Sequence, residues 1–354
     1  MSPGTCGCPN TLFPRRSRQP TRRDKPENAG DASSVQRSIR YNGGLIVTLT
    51  VNPAIDRNVT VDRLVFEDRA YILSSHESAG GRGINASCVL RSFGADTLAI
   101  ATCGGKSGRL LEEFLTRCDF PFSLVRIRQE IRTNITVADR QGLAVKLNEK
   151  GPSLNPSEIA RLEKAVRGSL RGADWLMLCG SLPPGVPADF YARLIHYSQK
   201  LKVPVLVDAD GEALEAALEE KPTVVTPNQQ EAERLLSRAL ITRSHFFEAV
   251  ERIRAMGAQS IILSLGARGA LAADSTGRAV EVVPPRIDAL CPIGAGDALA
   301  AAFVWAQTQK HDFPESVRWG VAAGTASARL PGVSFASLEQ TREVYARVET
   351  RPIP

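Results

Sequence analysis

From Pro156 to Ser264 the chain repeats one pattern, and that pattern restricts the fold more than any other feature. Amphipathic stretches at 157–170, 188–200, 212–219 and 244–256 read as helices, and short apolar runs at 175–178, 204–207, 223–225 and 260–264 read as strands between them. Neighbouring strands joined by a helix-long crossover run parallel, so the alternation predicts a mostly parallel central sheet with helices on both faces. The same reading extends outward. Strands are expected at 45–51 and 97–102, helices at 86–93 and 109–117, a hairpin through 270–283, and two last helices near 297–309 and 314–329. A chain of 354 residues with 43% hydrophobic content can fill the core of one large α/β domain, and nothing marks a second independent one.

Two segments do not fit the repeat. Residues 57–76 and 131–147 hold short alternating runs such as Asn58-Val59-Thr60-Val61 and Arg132-Thr133-Asn134-Ile135-Thr136-Val137, which predict small antiparallel strands outside the main sheet, a β-strand lid. Before the first of them, Asn52-Pro53-Ala54-Ile55-Asp56 reads as a loop that ends the first strand and presents Asp56. Open α/β sheets bind ligands beyond the carboxyl ends of their strands.

The chemistry concentrates in Cys291-Pro292-Ile293-Gly294-Ala295-Gly296-Asp297-Ala298. Gly294 and Gly296 let the backbone turn its amides toward an anion, and the strong helix formers after Asp297 predict a helix that points its positive end at the same place. A carboxylate there can accept a hydroxyl proton as the oxygen attacks phosphorus, which makes Asp297 the candidate base and Gly294, Ala295 and Gly296 the candidate anion hole. Read alone, the same four residues also fit a tight turn with Asp297 as a helix cap. Gly104-Gly105-Lys106-Ser107-Gly108 invites a second phosphate-loop reading, but Ile100 stands where the first glycine of that motif belongs.

Charge and cysteine usage exclude other classes. Residues 1–44 carry eight cations and three acids, most of the net charge of +6, in a stretch rich in Pro, Ser and Arg. That stretch reads as a disordered basic extension, and the rest of the chain needs no nucleic-acid partner. Seven cysteines scattered through expected core elements fit reduced thiols rather than a disulfide framework, and Cys6-Gly7-Cys8 has no second ligand pair for zinc. No run has the length of a membrane span and no signal-peptide pattern opens the sequence, so a cytoplasmic protein is expected.

Six pieces in order over residues 45 to 349 resemble the phosphofructokinase B family of ribokinase-fold sugar kinases. They are Asn52 to Asp56, Ala79-Gly80-Gly81-Arg82-Gly83-Ile84-Asn85, Gly180-Ser181-Leu182-Pro183-Pro184-Gly185, Pro227-Asn228-Gln229-Gln230-Glu231, Ser264 to Ala270, and Gly294 to Asp297. The resemblance implies a ribokinase-like domain over 45–354, ATP as phosphoryl donor and Mg2+ as its metal. It implies that Asp56, Gly80, Gly81 and Asn85 contact the sugar, and that Arg132 binds the substrate phosphate with its forked guanidinium. Asn228 and Glu231 would serve the nucleotide and the metal, Glu231 through water, and Ser264, Gly266 and Gly269 the nucleotide. From spacing alone, Asn228 is equally a helix cap. Lys146 and Asn148 are softer candidates on the lid.

Some positions depart from the family pattern. Arg82 stands for the usual Lys, Tyr71 for a frequent second Arg with Arg69 nearby, Asp210 for a Ser, Thr226 for a Lys, and Ala298 for a Ser or Thr. Leu147-Asn148-Glu149-Lys150-Gly151-Pro152 is similar to 1-phosphofructokinases and tagatose-6-phosphate kinases, whereas 211–214, 282–285 and 320–324 are similar to the minor 6-phosphofructokinase branch. The implied activity is ATP-dependent phosphorylation of a ketohexose monophosphate to fructose 1,6-bisphosphate. Tagatose 6-phosphate, an unphosphorylated sugar or a nucleoside are alternative substrates, and a catalytically silent sugar-phosphate-binding regulator is the alternative from another class. An exposed lid sheet has open edges, so a homodimer through the lid strands is expected.

Overall fold

The computed structural model describes residues 44–65, 68–141 and 143–353. The extension expected over 1–44 lies outside them except for Gly44. In chain order the first half comprises β1 (Leu45–Thr50), β2 (Ala54–Val61), β3 (Ile72–Gly80), α1 (Arg82–Ser92), β4 (Thr97–Cys103), α2 (Gly105–Arg117), β5 (Phe122–Arg126), β6 (Arg132–Asp139), β7 (Ala144–Asn148), α3 (Pro156–Ser169) and β8 (Ala173–Cys179). The second half comprises α4 (Phe190–Lys200), β9 (Val205–Asp208), α5 (Gly211–Glu219), β10 (Val224–Val225), α6 (Gln229–Leu235), α7 (Arg243–Ala255), β11 (Ser260–Ser264), β12 (Ala270–Ala273), β13 (Ala279–Val283), α8 (Ala295–Thr308), α9 (Phe313–Ala328), α10 (Leu338–Tyr345) and β14 (Glu349–Ile353).

Ten strands form the main sheet in the order β14-β13-β12-β11-β10-β9-β8-β1-β4-β5. From β11 to β5 every pairing is parallel, and β12, β13 and β14 extend the other edge antiparallel. Alternate side chains of each strand enter different cores. Val47, Leu49, Leu176, Leu178, Val205 and Val207 meet residues of α2 to α5 and α7 on one face. Ile46, Met177 and Leu206 meet α1, α8 and α9 on the other. Helix α8 is apolar all round, which suits a helix enclosed on every side, and residues 298–306 are all buried. Among the described residues no helix is long and apolar enough to cross a membrane.

The smaller sheet has the order β3-β2-β6-β7. Its outer pairs are antiparallel as expected, but β2 and β6 run parallel, because the chain crosses the whole β4–β5 edge of the main sheet between them. A second difference concerns 54–56. Read as a loop after Pro53, these residues open strand β2, since the chain leaves the main sheet at once and pairs with β3 and β6. Helices α1, α2 and α8 start earlier than expected, at Arg82, Gly105 and Ala295, each directly after a glycine, of which Gly81 and Gly294 have positive φ and Gly104 is extended. Strands β5 and β14 and helix α10 were not expected from the pattern.

Candidate active site

Four elements converge on Asp297. Gly294 caps α8 in the left-handed region with φ of 81°, and no side chain caps this helix. The amides of Gly296 and Asp297 lie in its first turn, where helix geometry supplies no carbonyl partner, so they are free for an anion. The expected tight turn is present, but Gly294 and not Asp297 caps the helix, and the Ala295 amide donates to the Pro292 carbonyl at 3.2 Å, so of the candidate anion-binding amides it is the one already engaged. Asp297 is part-buried, and Asn85 of α1 donates from Nδ2 to its Oδ2 at 2.7 Å. Burial, and next the carboxylate of Asp208 at the end of β9, push the Asp297 carboxyl up to about 7, against the opposing pull of Arg82 and the Asn85 hydrogen bond.

Arg82, the first residue of α1, spans two carboxylates. Its two terminal nitrogens reach Asp208 Oδ1 at 2.9 Å and Glu231 Oε1 at 2.7 Å. Glu231 is buried, and burial raises its pKa against the pull of Arg82. It is also half of a capping box: Asn228 Oδ1 accepts from the Glu231 amide and Glu231 Oε2 accepts from the Asn228 amide, both at 2.9 Å. Asn228 is thus a helix cap, and Glu231 is additionally wired to the site. A parallel bridge joins Asn228 to Ser264, which places Ser264 and the turn holding Gly266 and Gly269 beside the same helix start.

The smaller sheet supplies the opposite wall. Asp56 on β2 accepts from Asn134 Nδ2 of β6 at 2.8 Å. Burial raises its pKa, while Asn134, Arg132 and Lys146 lower it. Gly80 ends β3 against Asp56 so closely that a Cβ there would stand 2.4 Å from the carboxylate. Gly81 follows as the cap of α1.

Arg132 donates to the carbonyls of Asn52 and Glu149, each at 3.1 Å, and its Nε is buried without a partner. Asn52 donates to Ser181 Oγ at 3.2 Å and to the Lys150 carbonyl at 3.0 Å, and its own Oδ1 has no partner. Arg132, Lys150 and Ser181, but not Asn52, line a cavity of about 520 Å3 together with Asp210 and Glu212 among others. Such a cluster of cations and open hydrogen-bonding atoms suits an anionic substituent. Burial lowers the pKa of Arg132, yet an arginine remains charged at neutral pH.

Sequence reasoning quoted Asn52, Lys150 and Ser181 in motifs without giving them a task, and it did not connect Asp208 to Arg82. Tyr71 and Arg69 are exposed at the start of β3. Asp210 is tied to Arg234 at 3.0 Å. Among the described residues no group of three or more acids, histidines or cysteines is arranged to hold a metal ion. A metal at Glu231 would consequently draw most of its ligands from water and phosphate, as Mg2+ does in nucleotide sites.

The model of the pfkB family of carbohydrate kinases matches residues 47–341. The chain is 33% identical over 304 residues to the ATP-dependent 6-phosphofructokinase isozyme 2 of Escherichia coli K12, covering 85% of this chain and 98% of that protein. The tetrameric inhibited form of phosphofructokinase-2 from Escherichia coli superposes with a TM-score of 0.79 at 32% identity, over 86% of this chain and 98% of the other. A possible 1-phosphofructokinase from Thermotoga maritima superposes with a TM-score of 0.78 at 25% identity, over 88% and 100%.

Proposed function

This chain belongs to the pfkB family of carbohydrate kinases, and from that premise we propose that it transfers the γ-phosphoryl group of ATP to fructose 6-phosphate, forming fructose 1,6-bisphosphate. The observation that carries the reading is Asp297, held by Asn85 beside the free first-turn amides of α8, with its carboxyl pushed up to about 7. A base with a pKa near the operating pH is well matched to proton transfer. The preference for fructose 6-phosphate over fructose 1-phosphate is supported by the higher identity to the 6-phosphofructokinase than to the possible 1-phosphofructokinase.

In this reading the sugar lies between Asp56 with its Asn134 partner and the start of α1, and its phosphate meets Arg132, Lys150 and Ser181. The oxygen of C1 attacks the γ-phosphorus, its proton passes to Asp297, and the bond from that phosphorus to the bridging oxygen of ADP breaks. The amides of Gly296 and Asp297 stabilise the charge on the transferring group. Ser264, Gly266 and Gly269 hold the nucleotide with Asn228. Glu231 is the residue that would hold Mg2+, which would supply neutralisation of phosphate charge. The smaller sheet acts as a lid that excludes water, and two subunits pair through it. The multimeric relative supports assembly in principle, whereas the dimer rests on the open sheet edges.

The test is kcat/KM with ATP and Mg2+ for fructose 6-phosphate, fructose 1-phosphate and tagatose 6-phosphate, with Asp297→Asn as control. A preference of about a hundredfold, roughly 2.7 kcal/mol of transition-state discrimination, identifies the substrate. Equal inactivity of wild type and control on all three would sink the assignment.

A further inference from the structure

Arg82 holds a position that two carboxylates would otherwise offer to a metal ion. Asp208 ends β9 and Glu231 opens α6, with side-chain exposures of 9% and 3%. Two such carboxylates facing one point repel each other unless a cation sits between them. Here the cation is covalently part of the chain. One nitrogen of the Arg82 guanidinium takes Asp208 Oδ1 at 2.9 Å and also lies 3.4 Å from the Asp208 carbonyl, and the other takes Glu231 Oε1 at 2.7 Å. The second oxygen of Glu231 is committed to the Asn228 amide. A metal that sought Glu231 directly would have to displace Arg82 or open the capping box.

We propose that Arg82 is a resident cation that closes the Asp208–Glu231 pair to direct coordination of a divalent metal. A metal at this place would then have to take its ligands from water and phosphate, which supply what the protein withholds. The planar fork is what makes this possible, because one guanidinium can serve both carboxylates, whereas the ammonium of a lysine is a single point charge and serves them less evenly. Arg82 is in this sense a positioning residue for Glu231, and the inference rests on the kinase reading only in taking Glu231 as the metal-side residue.

The experiment is a Mn2+ titration of the full chain without nucleotide, followed by electron paramagnetic resonance of the free ion. Wild type should hold no Mn2+ at this site at concentrations up to about 1 mM. Arg82→Met should gain one site, at least about tenfold tighter, that disappears again in Arg82→Met/Glu231→Gln. Arg82→Lys, which keeps a charge and so guards against a failure to fold, should gain the site more weakly. Nucleotide-independent Mn2+ binding by wild type that is lost in Glu231→Gln overturns the proposal, as does the absence of any gain in a cooperatively melting Arg82→Lys. The readout needs no turnover, so its failure leaves the kinase reading standing, and a failed kinase assay leaves this result interpretable.

Discussion

The Asp297 carboxyl has an ordinary value of 3.8 and rises to about 7 in the fold. Burial and Asp208 raise it, while Arg82 and Asn85 restrain it, so the Asn85 hydrogen bond favours the ionised carboxylate of the proposed base. Removing its hydrogen bond in Asn85→Leu should move the acid limb of the kcat profile to higher pH and lower kcat at pH 7; an acid limb that stays in place refutes this role. The same group affects stability with a definite sign. Its folded pKa lies above its unfolded one, so the folded state takes up the proton first and loses stability as pH rises from about 4 through 7. Asp297→Asn should therefore melt a few degrees above wild type at pH ~8, with the gap closing toward pH ~4. A variant that melts lower at alkaline pH would contradict this. At Arg132 the expectation is different: Arg132→Ala should raise KM for the sugar phosphate more than tenfold and leave KM for ATP nearly unchanged, as steady-state kinetics will report.

Helix α8 is placed by its neighbour α9 as much as by its own sequence. Gly324 of α9 lies so close that a Cβ there would stand 2.8 Å from the Ala295 carbonyl, in the first turn of α8. Gly324→Ala should cost about 1–3 kcal/mol by overpacking, seen as a lower denaturant midpoint, and should also reduce kcat because the strain falls on the anion hole. The crossover repeat made most of the parallel sheet legible in the sequence, and the Gly294 to Asp297 turn was legible because its residue types are needed locally. What escaped depended on distant partners or weak patterns. The link from Arg82 to Asp208 and Glu231 joins residues 126 and 149 positions apart. Asp56 looked like a loop residue because Pro53 breaks the strand before it, and only the pairing with β3 and β6 reveals β2. Strand β14 is exposed and contains Pro352, which an edge tolerates and a pattern search rejects. Helix α10 had a readable signal that went unused, the capping box of Ser337 and Gln340.

The smaller sheet has one polar face and one face that is apolar along β6 and β7. Cross-strand partners share a face, so Asp56 stands with Asn134 and Asn148, and Asn58 with Thr136, Lys146 and His76, a polar face that includes the site. The alternate positions put Leu147 beside Ile135 and Val145 beside Val137 and Val59 on the other face, which turns polar toward β3, where Arg57 stands beside Glu77 and Ser75 beside Val59. There Leu147 is 55% and Val145 39% exposed. Among the described residues no further strand pairs with β3 or β7. An exposed apolar strip and two unpaired outer strands are poor surfaces for a monomer and good ones for pairing with a second copy of the same sheet. In the proposed dimer the polar side of each paired strand would face a site, so separating the subunits should loosen the lid as well as expose the patch. Val145→Lys/Leu147→Glu should shift the mass in sedimentation from dimer to monomer and raise KM for the sugar phosphate, while the far-ultraviolet circular dichroism remains that of the wild type. A double variant with unchanged mass would show that the pairing surface lies elsewhere. A monomer with unchanged KM would show that the lid closes without its partner.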